Sequence, residues 1–487
     1  MIERRPVLFT FLIALAVRLG ALAIFEFVMN TESFALDDST YSAMATAVVE
    51  GRTEVWDAGT RGLFVSVFAF TGPLSVLYSI FGTSDIVGQL YVALLGAGTA
   101  ALVTALGREI FPDRIALIGG VALAFLPSQV VWSALLLKDT SVWIVLAALA
   151  VVVAVAGRKN GASLVAWGVG AAVLLFILGH LRGHTTVVAA WAIAAAAFAG
   201  TRESRWRRGF GGLVIAVATP WLIGLGPAGL DLVQNAGSLE YRRAANAIDA
   251  NSAFVKALGA EERGLVEDPA SLVAELTTKE QLVRSRVVEV AATLGTIKRE
   301  ISSPKTSPDE EQRLQQRATE LERRASRLRQ RAAQAREERE RLAAVITTQS
   351  HADDTADAEQ LAPDLIHLPK GILVMLFEPV PWETSGSQTM RLARTDAVLW
   401  YPLLALALPG LWAARRYLRV LAFPILVGGG MLLTYALTEG NIGTAFRHRG
   451  EFVWVVALLA TLGLVQVRAW WQRRSEGTFS PAESGRS

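Results

Sequence analysis

Long apolar runs of bilayer-spanning length recur along the chain, separated by short polar turns. Ten of them, near 7–29, 86–111, 114–136, 141–157, 163–180, 184–200, 209–226, 396–414, 418–438 and 451–467, predict spanning helices. The first run follows Arg4 and Arg5 and is long enough to cross a bilayer, so it reads as a spanning helix rather than a cleaved leader. An eleventh apolar segment, 63–82, is interrupted by Gly72-Pro73 and reads as an interfacial or half-inserted element. The expected fold class is therefore all-α: a polytopic helical bundle of about ten spans.

The polar connections set an orientation. With the N-terminus inside, the connections 108–114, 158–159, 202–208 and 415–419 and the tail 468–474 are all basic and fall on the cytoplasmic side. Counting 63–82 as a full span would invert everything downstream. The opposite face receives 31–61, 137–140, 180–184 and 439–451, plus one large polar insert. The expected division is a transmembrane core over 1–226 and an extracytoplasmic insert over 227–370. A C-terminal transmembrane part over 371–474 and a cytoplasmic tail over 475–487 complete it. Both termini are expected in the cytoplasm of a multi-pass protein of the cytoplasmic membrane.

Within the insert, Leu272, Leu276, Val283, Val287, Leu294 and Ile301 keep helical spacing, and Ser302-Ser303-Pro304 breaks the run. A second helix is expected over 309–347. There Leu314, Leu321, Leu328, Ala335 and Leu342 occupy one heptad position, and Ala318, Ala325 and Ala332 the other. This pattern reads as an α-helical hairpin or coiled coil, a solvated spacer or an arm for a protein partner or self-association through 271–347.

Composition agrees: of 487 residues, 52% are hydrophobic and 19% charged, below the roughly 25% of soluble domains. The arginines gather at helix ends, as membrane anchors do, and form no nucleic-acid-binding face. The absence of cysteine excludes disulfides and thiolate chemistry.

Charges on the non-basic face are the informative ones, because ionisable groups near a membrane are costly. Asp37 and Asp38 follow the first span. Adjacent carboxylates raise each other's pKa, so the pair can act as a general base or hold a hard divalent cation such as Mg or Mn. Capping of the helix that carries Tyr41 is the plainer role for them. Lys138, Arg182 with His180 and His184, and Arg447-His448-Arg449 are cations on the face where basic residues are least expected. Together they predict an anion site, arginine offering a two-pronged fork for phosphate and lysine a point charge. Gly440-Asn441-Ile442-Gly443-Thr444 precedes the last cluster and allows close backbone approach or simply a tight turn. Glu378-Pro379-Val380-Pro381-Trp382 reads as an interfacial element with Trp382 at headgroup depth.

The set Asp37-Asp38-x-x-Tyr41, Gly72-Pro73 with Tyr78-x-x-Phe81-Gly82, Phe111-Pro112-Asp113, Pro127, Trp132-Ser133 and Leu137-Lys138-Asp139 resembles the GT-C superfamily. Glu378-Pro379-x-Pro381-Trp382 and Gly440-Asn441-x-Gly443-Thr444-x-x-Arg447-His448-Arg449 extend it. These are membrane glycosyltransferases that use polyprenyl-phosphate-linked sugars, here of the family 39 or protein-mannosyltransferase-like kind. The similarity covers roughly 1–226 and 370–467; the insert departs from it.

The resemblance implies inverting transfer of a sugar from a polyprenyl-phosphate donor to an acceptor outside the cytoplasm, in cell-envelope polysaccharide or glycoprotein assembly. Carried onto this sequence, Asp37 is the base or metal-associated carboxylate and Asp38 assists. Lys138, Arg182, His184, Arg447, His448 and Arg449 bind the donor phosphate. Tyr41, Asn441 and Trp382 contact substrate, membrane lipid is a partner, and no organic cofactor is implied. Two other readings stay open: a non-catalytic scaffold of polysaccharide assembly, and a transporter of lipid-linked intermediates.

Overall fold

A computed structural model describes residues 5–27, 36–53, 58–199, 205–230, 368–382, 388–438 and 442–477, with parts of 287–336. The chain divides into two compact units, Met1–Gly237 with Leu365–Ser487, and Ser238–Asp364.

Every regular element among the described residues of the first unit is a helix. Its helices are α1 (Pro6–Phe27), α2 (Leu36–Val49), α3 (Ala58–Ser66), α4 (Phe68–Phe81), α5 (Asp85–Gly107), α6 (Asp113–Phe125), α7 (Pro127–Trp132) and α8 (Asp139–Ala156). They continue as α9 (Gly161–Gly179), α10 (Gly183–Phe198), α11 (Arg205–Leu222), α12 (Leu368–Phe377), α13 (Gln388–Ala414), α14 (Leu418–Thr438), α15 (Ile442–His448) and α16 (Gly450–Gly477). Seven are long and apolar enough to cross a membrane: α1, α5, α8, α9, α13, α14 and α16.

The other three expected spans differ. The stretch 114–136 is not one helix. Leu126, held extended at ψ 119° ahead of Pro127, splits it into α6 and α7, because the proline ring disfavours helical geometry in the residue before it. Residues 133–138 then run without α-helix to the start of α8. The expected spans 184–200 and 209–226 are the shorter apolar helices α10 and α11.

Gly72-Pro73 also acts differently from expectation. Pro73 lies inside an unbroken α4, on its exposed face. The break falls earlier, at Val67 between α3 and α4.

Small residues bring the long helices together. α13 packs along α16, and α1 lies against α5 and α6. A Cβ on Gly410 of α13 would collide with the Leu459 carbonyl, and one on Gly463 of α16 with the Leu406 carbonyl. The two glycines face each other's backbones, the close approach that lets apolar helices gain contact where water supplies no driving force. Trp143, Trp400 and Trp454 are fully buried in the same core.

One end of the bundle is a basic rim. Arg158 reaches from the end of α8 to Glu109 after α5 at 2.8 Å. Arg108 pairs with Asp113 at 2.7 Å. Arg208 of α11 donates to the Gly157 and Lys159 carbonyls at 2.8 and 3.1 Å. Connections expected on one side of the membrane therefore meet in space.

In the second unit, residues 290–301 form a helix with Val290 and Ile297 buried and Leu294 and Ile301 half-buried. Residues 312–319 are helical, and in this second stretch Ala318 and Ala325 are buried at the heptad position expected for them. Lys298 and Glu322 pair at 2.7 Å, linking the two stretches. The rest of the expected hairpin, including 271–286 and 337–347, lies outside the described residues.

Candidate functional site

The end of the bundle opposite the basic rim gathers polar side chains from four segments. α8 begins there with Asp139, the turn between α9 and α10 brings Arg182 and His184, α14 ends there with Tyr435, and α15 leads into α16 with Arg447, His448 and Glu451. The break at Pro127 matters locally. After it, α7 and residues 133–138 lead to α8, which opens at this end with a carboxylate in its first turn.

Arg182 is the hub. Its two terminal nitrogens divide between carboxylates: one donates to Asp139 Oδ1 at 2.6 Å, the other to Glu451 Oε1 and to Tyr435 Oη at 3.0 Å. Arg447 completes Asp139 from the other side, with Nε and a terminal nitrogen both 2.8 Å from Oδ2. Thr185 donates to Glu451 Oε2 at 3.0 Å. Both oxygens of both acids are thus engaged, as buried carboxylates require.

Tyr435 donates its one proton to Glu451 at 2.7 Å. The bond between Tyr435 and His184 Nε2, at 3.1 Å, must then be donated by the histidine, which places its proton on Nε2. His448 stacks on Tyr435 with ring centroids 4.5 Å apart and planes at 20°.

The charge balance leaves a positive remainder. Two carboxylates, Asp139 and Glu451, face the guanidiniums of Arg182 and Arg447. Lys138 adds further positive charge close to Asp139, and the His448 ring lies near it as well. Lys138, Arg447 and His448 are half-buried, whereas Arg182 is buried.

Arg449 differs from its neighbours in sequence. It is buried, donates from Nε to the Met375 carbonyl at 2.8 Å and from a terminal nitrogen to the Glu378 carbonyl, and lies 5.2 Å over the Trp400 ring. Burial pulls its guanidinium down to about 10, so it remains charged at neutral pH. It clamps the 375–378 segment, with Asp396 as the nearby negative charge. Asp396 itself accepts from the Ser128 backbone N–H at 2.8 Å, tying α13 to the start of α7.

The expected anion binders therefore fall into two groups. Lys138, His184, Arg447 and His448 surround the cluster with some exposure. Arg182 and Arg449 are buried, and their donors go to groups inside the protein, those of the first to carboxylates and a phenol and those of the second to carbonyls.

Among the expected substrate contacts, Tyr41 is buried and packs edge-on to Phe70 at 5.3 Å. Trp382 is 76% exposed. Asn441 lies outside the described residues. Asp37 and Asp38 belong to α2, but their side chains lie outside the described ones.

What the structure gives for the acidic segment is its anchorage. Ser42 donates to Asp85 Oδ1 at 2.6 Å and shares a hydrogen bond with Tyr78 at 3.1 Å. α2 packs on α4. Near the start of α4, the Ala69 N–H donates to the His180 carbonyl at 3.3 Å, two residues from Arg182. A chain of contacts runs the same way: Phe70 stacks on Tyr91 at 5.9 Å, and Tyr91 lies beside Ser141, two residues into α8 from Asp139.

For a divalent metal, the described residues contain no group of three or more His, Asp or Glu side chains able to hold one. Asp139 and Glu451 are saturated by Arg182, Arg447, Tyr435 and Thr185, and do not offer free oxygens.

The sequence matches no family model and no curated protein sequence. Two solved structures share a distant likeness. One is the archaeal oligosaccharyltransferase AglB from Archaeoglobus fulgidus, in complex with an inhibitory peptide and a dolichol-phosphate. It shows 14% identity and a TM-score of 0.45 over 98% of this chain and 52% of that one. The other is ArnT from Cupriavidus metallidurans in the apo state, at 15% identity and a TM-score of 0.31 over 88% of this chain and 73% of that one. This chain thus spans 52% of the length of AglB, about half.

Proposed function

We propose that this chain is a membrane glycosyltransferase that takes a sugar from a polyprenyl-phosphate-linked donor and passes it to an acceptor on the extracytoplasmic face with inversion. The observation that carries the reading is the gathering of Lys138, His184, Arg447 and His448 around a buried acid–guanidinium core at the non-basic end of the bundle. The segment bearing Asp37 and Asp38 is tethered toward the same end through α4 and His180. The motif resemblance to the GT-C superfamily supports the same reaction class.

In this reading the donor phosphate rests on the half-buried side chains of Lys138, Arg447 and His448. Breaking the glycosidic bond leaves negative charge on the phosphate oxygen, and fixed cations stabilise it without reorganising. Asp37 takes the proton of the acceptor hydroxyl as that oxygen attacks the anomeric carbon opposite the phosphate. Arg182, Asp139 and Glu451 do not touch substrate. They hold Arg447 and the α9–α10 turn in place, a second layer that fixes the geometry of the first.

Asp37→Asn is expected to abolish sugar transfer in reconstituted vesicles while the protein still inserts and melts as the native chain does. Normal transfer by that variant removes the base assignment. Mass spectrometry of a deletion strain is expected to find the lipid-linked sugar accumulating and the same sugar missing from the polymer. Unchanged envelope glycans would instead favour the scaffold.

A further inference from the structure

At the basic rim, a cleft of about 440 Å³ opens between α8, α9 and α11, with α10 behind it. Its walls are apolar, with Val153 and Ala156 from α8, Trp167 and Gly168 from α9, and Gly211 and Ile215 from α11. Arg208 and Arg419 stand at its polar edge. α8 contributes its last turns here and Asp139 at its opposite end. Eighteen residues of helix separate the two ends by about 27 Å, close to the thickness of a bilayer's hydrocarbon. The cleft is therefore on the far side of the membrane from the acid–guanidinium cluster.

Two features make it a built site. The first is charge. Arg208 is fixed by three acceptors, the carbonyls of Gly157 and Lys159 and the Asn160 side-chain oxygen at 3.0 Å, and each of these is neutral. Its charge is oriented but not cancelled. Arg419 is exposed and lies over Gly157, its Cγ 3.2 Å from where a Cβ would stand. The second feature is room. A Cβ built on Gly168 or Gly211 meets nothing within 4 Å, so these two glycines leave the walls open rather than admitting a neighbouring helix. At Gly410 and Gly463 the space is taken by backbone; here it is empty.

We infer that this cleft binds one anionic phospholipid of the leaflet at the basic rim, an acyl chain lying between α9 and α11 and the phosphodiester resting at Arg208 and Arg419. Basic pockets between helices with an apolar slot beneath are the chemistry that selects an anionic headgroup from the bilayer. The inference goes beyond the proposed reaction and does not depend on it, because the two sites lie at opposite ends of α8.

The test uses the full chain purified in detergent and offered equal amounts of phosphatidylglycerol and phosphatidylcholine with the same acyl chains, read by native mass spectrometry. The native protein is expected to retain one phosphatidylglycerol in preference. Arg419→Gln should lower that preference about fivefold, the worth of one basic side chain near a membrane surface. Gly168→Phe and Gly211→Phe should remove the retained lipid while leaving the melting temperature at or above the native value, because the ring enters open space and glycine is a poor helix former. Equal retention of the two lipids would overturn the inference, as would full retention by Gly168→Phe. Displacement of the bound lipid by an added polyprenyl phosphate would overturn it too, by assigning the cleft to an isoprenoid instead.

Discussion

Arg182 is buried between two carboxylates and a phenol, and its value lies in what its loss would leave behind. Arg182→Gln leaves Asp139 with one of its two guanidinium partners and takes from Glu451 the guanidinium it is paired with. Removing one partner from a buried ion pair typically costs about 3–5 kcal/mol. The expected outcome is a large drop in melting temperature in detergent, whereas His184→Ala, which removes a half-buried partner of Tyr435 and no charge pair, is expected to cost less, about 1–2 kcal/mol. Similar melting of the two variants would mean that the cluster is not the keystone described here. The sequence pointed to Arg182, Arg447 and His448 because cations on a non-basic face are conspicuous. It hid Glu451, which looks like an ordinary acid opening a helix, and Tyr435, a lone phenol in an apolar run. Arg449 is set apart from Arg447 for a geometric reason. Three consecutive residues at a helix end project about 100° apart, so Arg447 and Arg449 could not both face one pocket.

At the level of elements, the apolar runs located the seven long apolar helices among the described residues, and local backbone chemistry decided where the chain deviates. Seven expected spans are helices of sufficient length and apolarity. Pro127 acts through the residue before it, a constraint already present in the sequence at 126–127 but overridden in reading by the continuous apolar run. Pro73 shows the converse: a proline on an exposed face costs a hydrogen bond without ending the helix. The pairing of α13 with α16 could not be read from either helix alone, since it depends on two glycines 53 positions apart meeting backbone to backbone. Gly463→Leu is expected to push these helices apart and cost at least about 1–3 kcal/mol, as overpacking does, seen as earlier unfolding on heating. Unfolding at the native temperature would show that the two helices are free to separate.

For the whole molecule, the segregation of charge is the organising fact. The rim of Arg108, Arg158, Arg208 and Arg419 lies at one end, and the acid–guanidinium cluster at the other. The orientation expected from the basic connections can be tested directly, because the chain has no cysteine to remove. A cysteine at Lys159 is expected to react with a membrane-impermeant maleimide only after cells are opened, and one at Trp382 in intact cells. The reverse pattern would invert the topology and move the proposed chemistry to the cytoplasm. The contacts of Arg182 also carry a consequence for biosynthesis. Asp139 emerges from the ribosome before it, but Glu451 follows 269 residues later, beyond the whole insert. Through that interval the arginine waits in the nascent chain with one counter-charge of the two it finally holds. The second counter-charge therefore arrives with α16: a chain stopped ahead of Glu451 holds six of the seven long apolar helices yet remains electrically unfinished.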